Sequence, residues 1–246
     1  MDRALYVGMS GAMQTLVAQT ANSHNLANAS TTGFRAQLVD AQSAAIAGPG
    51  LASRVNAQVL DQGWDASNGA ITETGGPLDI ALRDNKWLAV QAPDGSEAYT
   101  RAGDLHVDAY GQLQTSSGLA VLGDSGPLSV PPNSSVSIAS DGTLSIVPAG
   151  QGPNTLSVVG RLRVVNATPA DLGRGSDGLM RAAAGVTLDS AAGETVIPGA
   201  LEGSNVNMAG TMVTMIQLAR QFDLQTKLMK TVEDNASASS SLLKMS

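Results

Sequence analysis

The chain is predicted to be an α+β protein, with long N- and C-terminal helices pairing as a coiled-coil-like core domain and a central all-β domain of barrel or sandwich type. Three observations predict this. Near both ends, apolar residues recur at alternating three- and four-residue spacing, the period of helices wound on one another. Between residues 71 and 197 the pattern changes to short apolar runs separated by turn signals, as in all-β domains. Composition agrees: 27 glycines, 3% aromatics and only 14% charged residues favour turns and close backbone approach over large aromatic anchors.

The first helix is expected from residue 3 to about residue 28, roughly 39 Å at 1.5 Å per residue. Its line of contact runs through Leu5, Met9, Ala12, Leu16, Gln19, Ser23 and Leu26. Gly8 and Gly11 leave one part of it almost bare. Each glycine weakens the helix by about 1 kcal/mol, and each also lets another helix approach the backbone. Such a helix depends on tertiary partners to form. Asn28 and the cluster Ser30-Thr31-Thr32-Gly33 mark its stop. The apolar start from Ala4 to Met13 reads as helix rather than as a cleaved signal, because Asp2 offsets Arg3, Ser10 and Gly11 interrupt the run, and the amphipathic period continues to Leu26.

Residues 36–70 carry little pattern and read as an extended connector. It holds turn signals at Gly48-Pro49-Gly50 and Ser67-Asn68-Gly69, and one short strand from Val55 to Leu60. Strands are expected at Leu78–Leu82, Trp87–Val90, Leu105–Val107, Leu119–Leu122, Val136–Ile138, Leu144–Val147 and Leu156–Val165. Pro93-Asp94-Gly95, Tyr110-Gly111 and Asp141-Gly142 fall between them as hairpin turns. Gly203-Ser204-Asn205 then offers an N-cap, and the second helix should run from about Asn207 to Leu243, roughly 55 Å. On it Met208, Met215, Phe222, Met229, Ala236 and Leu243 recur every seven residues. Leu218 and Val232 fill intermediate positions, whereas Thr211, Gln225 and Ser239 are polar. The expected domains are thus 1–35 with 203–246 as a discontinuous helical core, 36–70 as connector, and 71–202 as a β-rich outer domain.

Several function classes are disfavoured. A formal charge of −7 with scattered Lys and Arg gives no attraction to nucleic acid. No stretch approaches the ~20 apolar residues that would insert across a membrane. The absence of cysteine excludes disulfides and thiolate metal sites. Gly123-Asp124-Ser125-Gly126-Pro127 resembles the nucleophile segment of trypsin-like proteases with one glycine missing. A triad also needs a positioned histidine, and only His24, on the first helix, and His106 exist. The run reads better as a turn between Leu122 and Leu128, and a secreted serine hydrolase using Ser125 is the lesser reading. Asp84, Asp94, Asp104, Asp124 and Asp141 lack calcium-loop spacing and suit turns. No metal or cofactor site is expected. Arg220, Lys227 and Lys230 among Asp223, Glu233 and Asp234 read as a solvated helix face.

Three segments together resemble the bacterial flagellar rod and hook proteins. Asn25-Leu26-Ala27-Asn28-Ala29-Ser30-Thr31-Thr32-Gly33-Phe34 looks like their N-terminal signature. Thr74 to Leu82, Tyr99-Thr100-Arg101-Ala102-Gly103 and Gly118 to Gly123 resemble their β-domain. Glu202-Gly203-Ser204-Asn205-Val206-Asn207, with Met215-Ile216 and Arg220-Gln221-Phe222, looks like their C-terminal signature. The opening Met1-Asp2-Arg3-Ala4-Leu5-Tyr6 and the Trp87-Leu88-Ala89-Val90 strand point to the proximal-rod branch over distal-rod or hook subunits. Gly210 and Thr211 depart from the pattern at the start of the last helix. The resemblance implies a non-enzymatic subunit of the rod that crosses the periplasm, exported by the flagellar type III apparatus without signal cleavage. It also implies partners that are copies of itself and other rod proteins, terminal helices forming a helical tube, and torque transmitted through packed interfaces.

Overall fold

The computed structural model describes residues 2–45, 55–151, 155–175 and 177–244. The chain divides into two compact units, one of Met1–Ala29, Ala36–Asp65 and Val206–Ser246, the other of Ser30–Arg35 and Ala66–Asn205. The short segment Ser30–Arg35, expected with the helices, belongs to the β unit.

The first unit is built on α1 (Asp2–Ala27) and α2 (Met208–Lys244), close to the expected bounds. The helices run antiparallel: Gly8 meets Met229 near one end, and Asn22 Nδ2 donates to the Thr211 carbonyl (2.8 Å) near the other. Helix α2 is capped by Asn207, whose Oδ1 accepts from Gly210 N at 2.9 Å. The cap is therefore not Gly203-Ser204-Asn205, which stay outside the helix.

The expected extended connector also needs correction. Residues 37–64 contain an antiparallel strand pair, β1 (Gln37–Ala45) and β2 (Val55–Trp64), packed against α1. Asn25 locks its start, since Oδ1 accepts from Gln37 N (2.8 Å) while Nδ2 donates to Gln37 O (2.9 Å). The sequence of β1 mixes polar and small residues without strict alternation, so its pairing comes from backbone bonds and from α1 rather than from an apolar pattern. The Gly48-Pro49-Gly50 turn signal lies outside the described residues.

The second unit is a succession of short strands. The first are β3 (Ile71–Glu73), β4 (Ile80–Leu82), β5 (Lys86–Gln91), β6 (Glu97–Thr100), β7 (Leu105–Val107) and β8 (Leu113–Thr115). Then come β9 (Ala120–Gly123), β10 (Gly126–Pro127), β11 (Asn133–Ile138), β12 (Thr143–Pro148), β13 (Ser157–Arg161) and β14 (Val164–Asn166). The last are β15 (Leu172–Arg174), β16 (Met180–Ala182), β17 (Val196–Pro198) and β18 (Ala200–Glu202). A nine-stranded sheet runs β15-β16-β6-β5-β9-β8-β7, with β10 on β9 and β14 on β5. Beside it stand the three-stranded β11-β12-β13 and the pairs β17-β4 and β18-β3.

Among the described residues no barrel closes. Of the two expected types, the barrel is therefore corrected to several open sheets, because strands of two to six residues cannot carry one continuous ladder around a ring. The sheets share one core in which Ile80, Leu88, Leu113, Val121, Leu144 and Val196 are fully buried. The expected strand Leu156–Val165 is broken at Leu162, where the chain leaves β12 for the large sheet: Leu162 N still bonds Gly142 O (2.9 Å), whereas Arg163 N bonds Leu122 O (2.9 Å). The turns at Gly95, Gly111 and Gly142 all adopt positive φ, in keeping with their sequence signals.

Candidate assembly interface

Within the helical unit, half-burial along α2 recurs at three- and four-residue spacing. Thr211, Met215, Leu218, Phe222, Gln225, Met229, Val232, Ala236 and Ser239 are half-buried, and Thr226 joins them. Met208, at the head of the line, is exposed, and the side chain of Leu243 lies outside the described residues. On α1 the contact face is the bare stretch at Gly8 and Gly11 rather than the expected line of large residues. It is formed by Gly8, Gly11, Thr15 and Asn22, where Thr15 Oγ1 lies 3.0 Å from Gln225 Oε1 and a methyl group on Gly8 would sit 3.1 Å from Met229 Cγ. Of the expected α1 line, Ala12 is buried and Leu26 half-buried, but Leu5, Met9 and Leu16 are exposed at 37%, 43% and 47%. The physical reason is size. The bare face of α1 admits the long side chains of α2, so the bulky face of α1 turns away.

That bulky face is continuous. Tyr6, Met13 and Val17 join Leu5, Met9 and Leu16, at spacings that put all six on one side of a helix. Helix α2 likewise exposes Met212, Val213, Ile216, Leu224 and Leu228. Isolated apolar side chains on a surface need no explanation, but contiguous stripes mark interaction sites.

The signature residues have separate structural tasks. Asn25 pins β1, as described. Ala27 is exposed, and Asn28 Nδ2 donates to the His24 carbonyl (2.9 Å), closing the last turn of α1. Gly33 N donates to Glu202 O (2.8 Å), and its φ of +68° and the Arg101 backbone pressed against it leave no room for a side chain. The Phe34 ring lies under the Arg174 guanidinium, 5.1 Å from the ring centroid. Asn205 N donates to Phe34 O (3.3 Å) and its side chain to Ser67 O (3.0 Å), while Ser204 and Val206 are half-buried.

Within the β unit, beside Gly33, is a buried ionic cluster whose role sequence reasoning missed. Glu202, Arg101 and Arg35 are exposed by only 0%, 2% and 3%. Glu202 Oε1 accepts from Arg35 Nη2 (2.7 Å) and Gly69 N (2.9 Å), and Oε2 accepts from Arg101 Nε (2.7 Å) and lies 2.6 Å from Arg101 Nη2 as an ion pair. Arg101 is further held by the carbonyls of Leu82, Asp84 and Lys86, with its guanidinium over Trp87. Burial pushes the Arg101 pKa down, against the opposing pull of Glu202. Arg101 and Glu202 stand in signature runs, and Arg35 directly follows one. That placement is the signal that sets them apart from ordinary surface charges.

The residues with a resemblance to catalytic chemistry take structural positions. Ser125 sits in the tight turn between β9 and β10, and His106 pairs across to Gln114 on β8. Asp94 and Asp141 accept hydrogen bonds from Ser96 and Thr143 of their own turns, which hold both carboxyls below the usual carboxylate range.

Comparison with known proteins covers all three regions. A flagella basal body rod protein family matches residues 5–35, a flagellar hook protein FlgE/F/G D1 domain matches residues 81–146, and a flagellar basal body rod FlgEFG protein C-terminal family matches residues 197–242. The chain is 44% identical to the flagellar basal-body rod protein FlgF of Escherichia coli (strain K12), with 100% of both chains covered. It is 42% identical, again over 100% of both, to the FlgF protein of Salmonella typhimurium. It is 30% identical to the flagellar basal-body rod protein FlgG of Bacillus subtilis (strain 168), over 95% of this chain and 96% of that one.

Proposed function

Given that the chain belongs to the flagellar basal-body rod protein family and is a structural subunit of that rod rather than an enzyme, we propose that it occupies the proximal rod. There its terminal helices pack as a coiled-coil-like layer against copies of themselves and other rod proteins, forming a helical tube across the periplasm. The β unit faces outward and the helix layer carries torque. The chain reaches that site through the flagellar type III export apparatus, without signal cleavage, and folds there.

The single observation that carries this reading is the pair of uncovered apolar stripes. Among the described residues, twelve of the seventeen exposed large hydrophobic side chains lie on α1 and α2. Burying a leucine-sized side chain contributes about 1.5–3 kcal/mol, so two such stripes supply ample drive for association. The interface expected from the sequence, with Leu5, Met9 and Leu16 on α1 and Met208 on α2, fits this use better than it fits contact inside one chain. Leu16→Asp tests it. The purified subunit should keep its fold, since Leu16 touches water already, yet isolated basal bodies should lack it and the cells should not swim. Normal incorporation of Leu16→Asp would remove the α1 stripe from the interface.

A further inference from the structure

The chain passes between its two units four times, at residues 29/30, 35/36, 65/66 and 205/206. Three short segments adjoin these passages on the β side, namely Ser30–Arg35, Ser67–Gly69 and Glu202–Asn205. All three are held by the Glu202 cluster or by bonds to its immediate neighbours. Gly33 N and Arg35 bind Glu202 from the first, and Gly69 N binds it from the second, where Asn68 Oδ1 also accepts from Arg35 Nη2 (3.0 Å). Asn205 joins the third to Phe34 and Ser67.

We propose that Glu202 is the closing residue of the β unit. The unit cannot complete its fold until the C-terminal signature supplies this carboxylate to two arginines already placed by the earlier chain. Arg35 and Arg101 lie 167 and 101 residues upstream of Glu202. Without Glu202, two buried guanidinium groups would face each other, and removing one member of a buried ion pair is strongly destabilising. The two arginines depend on it unequally. Arg101 retains three carbonyl acceptors, whereas Arg35 is held only through Nη2, its Nε and Nη1 making no hydrogen bond. Folding of the β unit is thereby made conditional on the chain being present as far as Glu202, whichever part of the rod receives it.

Hydrogen exchange followed by mass spectrometry on the full chain tests this, comparing Glu202→Gln with Arg35→Met. Glu202→Gln should cost protection roughly a hundredfold or more across the whole β unit, including the large sheet, or prevent its folding outright. Arg35→Met leaves Glu202 and Arg101 as a balanced pair, so the loss should be confined to residues 30–35 and 66–69, with the sheet changed by less than about tenfold. A Glu202→Gln effect limited to the passage segments would overturn the proposal. So would equal loss in both variants, which would assign closure to the segment 30–35 and not to the carboxylate.

Discussion

Gly33→Ala isolates the energy with which the N-terminal signature is seated in the β unit. Two effects add. A non-glycine residue at positive φ costs about 1–2 kcal/mol, and Gly33 has φ +68°. The new methyl would also collide with the backbone of Arg101 and Ala102, which cannot move without disturbing the Glu202 cluster, and forced overpacking adds about 1–3 kcal/mol. Gly95 is the control, with φ +82° but nothing within 4 Å of the place its methyl group would take. Gly95→Ala should therefore lose about 1 kcal/mol and Gly33→Ala about 3 kcal/mol, which at roughly 3–4 °C per kcal/mol is a difference in Tm near 7 °C. Urea and thermal melts of the two variants, followed by the β signal in circular dichroism, make the measurement. Equal losses would show that residues 30–35 do not pack into the β unit, and the cluster argument would fall with them.

Other expectations concern different parts of the chain. Phe222→Ala should impair rod assembly and motility far more than Ser125→Ala. Phe222 is half-buried on the α2 seam, so truncation costs about 2 kcal/mol, around half the value for a fully buried aromatic, in every subunit; a non-motile strain with intact rods in Ser125→Ala would revive a catalytic reading. Deleting residues 207–246 should leave a β unit that melts cooperatively, because Glu202 and Asn205 remain, whereas deleting residues 1–35 should weaken it by removing Arg35 and Gly33. Matching melts for the two deletions would contradict this. Burial, with the Glu97 carboxylate beside it, raises the Tyr99 pKa to about 12. Because the folded state favours the neutral phenol, that stability is fully present below the unfolded value near 10 and is lost as pH rises through about 12. Alkaline spectrophotometric titration should show a late phenolate component that disappears in Tyr99→Phe.

Much of the helical frame was legible in the sequence, because the α2 seam obeys a strict spacing and its half-buried positions follow it from Thr211 to Ser239. The α1 contact face was legible only in part. The bare stretch at Gly8 and Gly11 signals close approach of another helix, and α2 packs there, but the apolar period draws the line of contact through Leu5, Met9 and Leu16, which stay exposed. The hairpin β1–β2 was missed for a related reason: its order comes from α1 and from Asn25 rather than from alternation. Short strands such as β15 to β18 lie below the length at which a pattern can be read. The Arg35, Arg101 and Glu202 cluster depends on contacts across more than a hundred residues, and charged residues taken singly resemble solvent-facing ones.

The strand pair β3–β18 has a consequence for how such a protein can vary. Ile71 faces Glu202 and Glu73 faces Ala200 across it, so the chain enters and leaves the body of the β unit at neighbouring points, about 5 Å apart. Residues 74–199 are in effect a cassette inserted at one gate. Lengthening or trimming that cassette leaves the separation of the two chain ends at Ile71 and Glu202 unchanged. Such an insertion can diverge freely in size and surface, provided it returns an arginine to the place of Arg101 beside the gate.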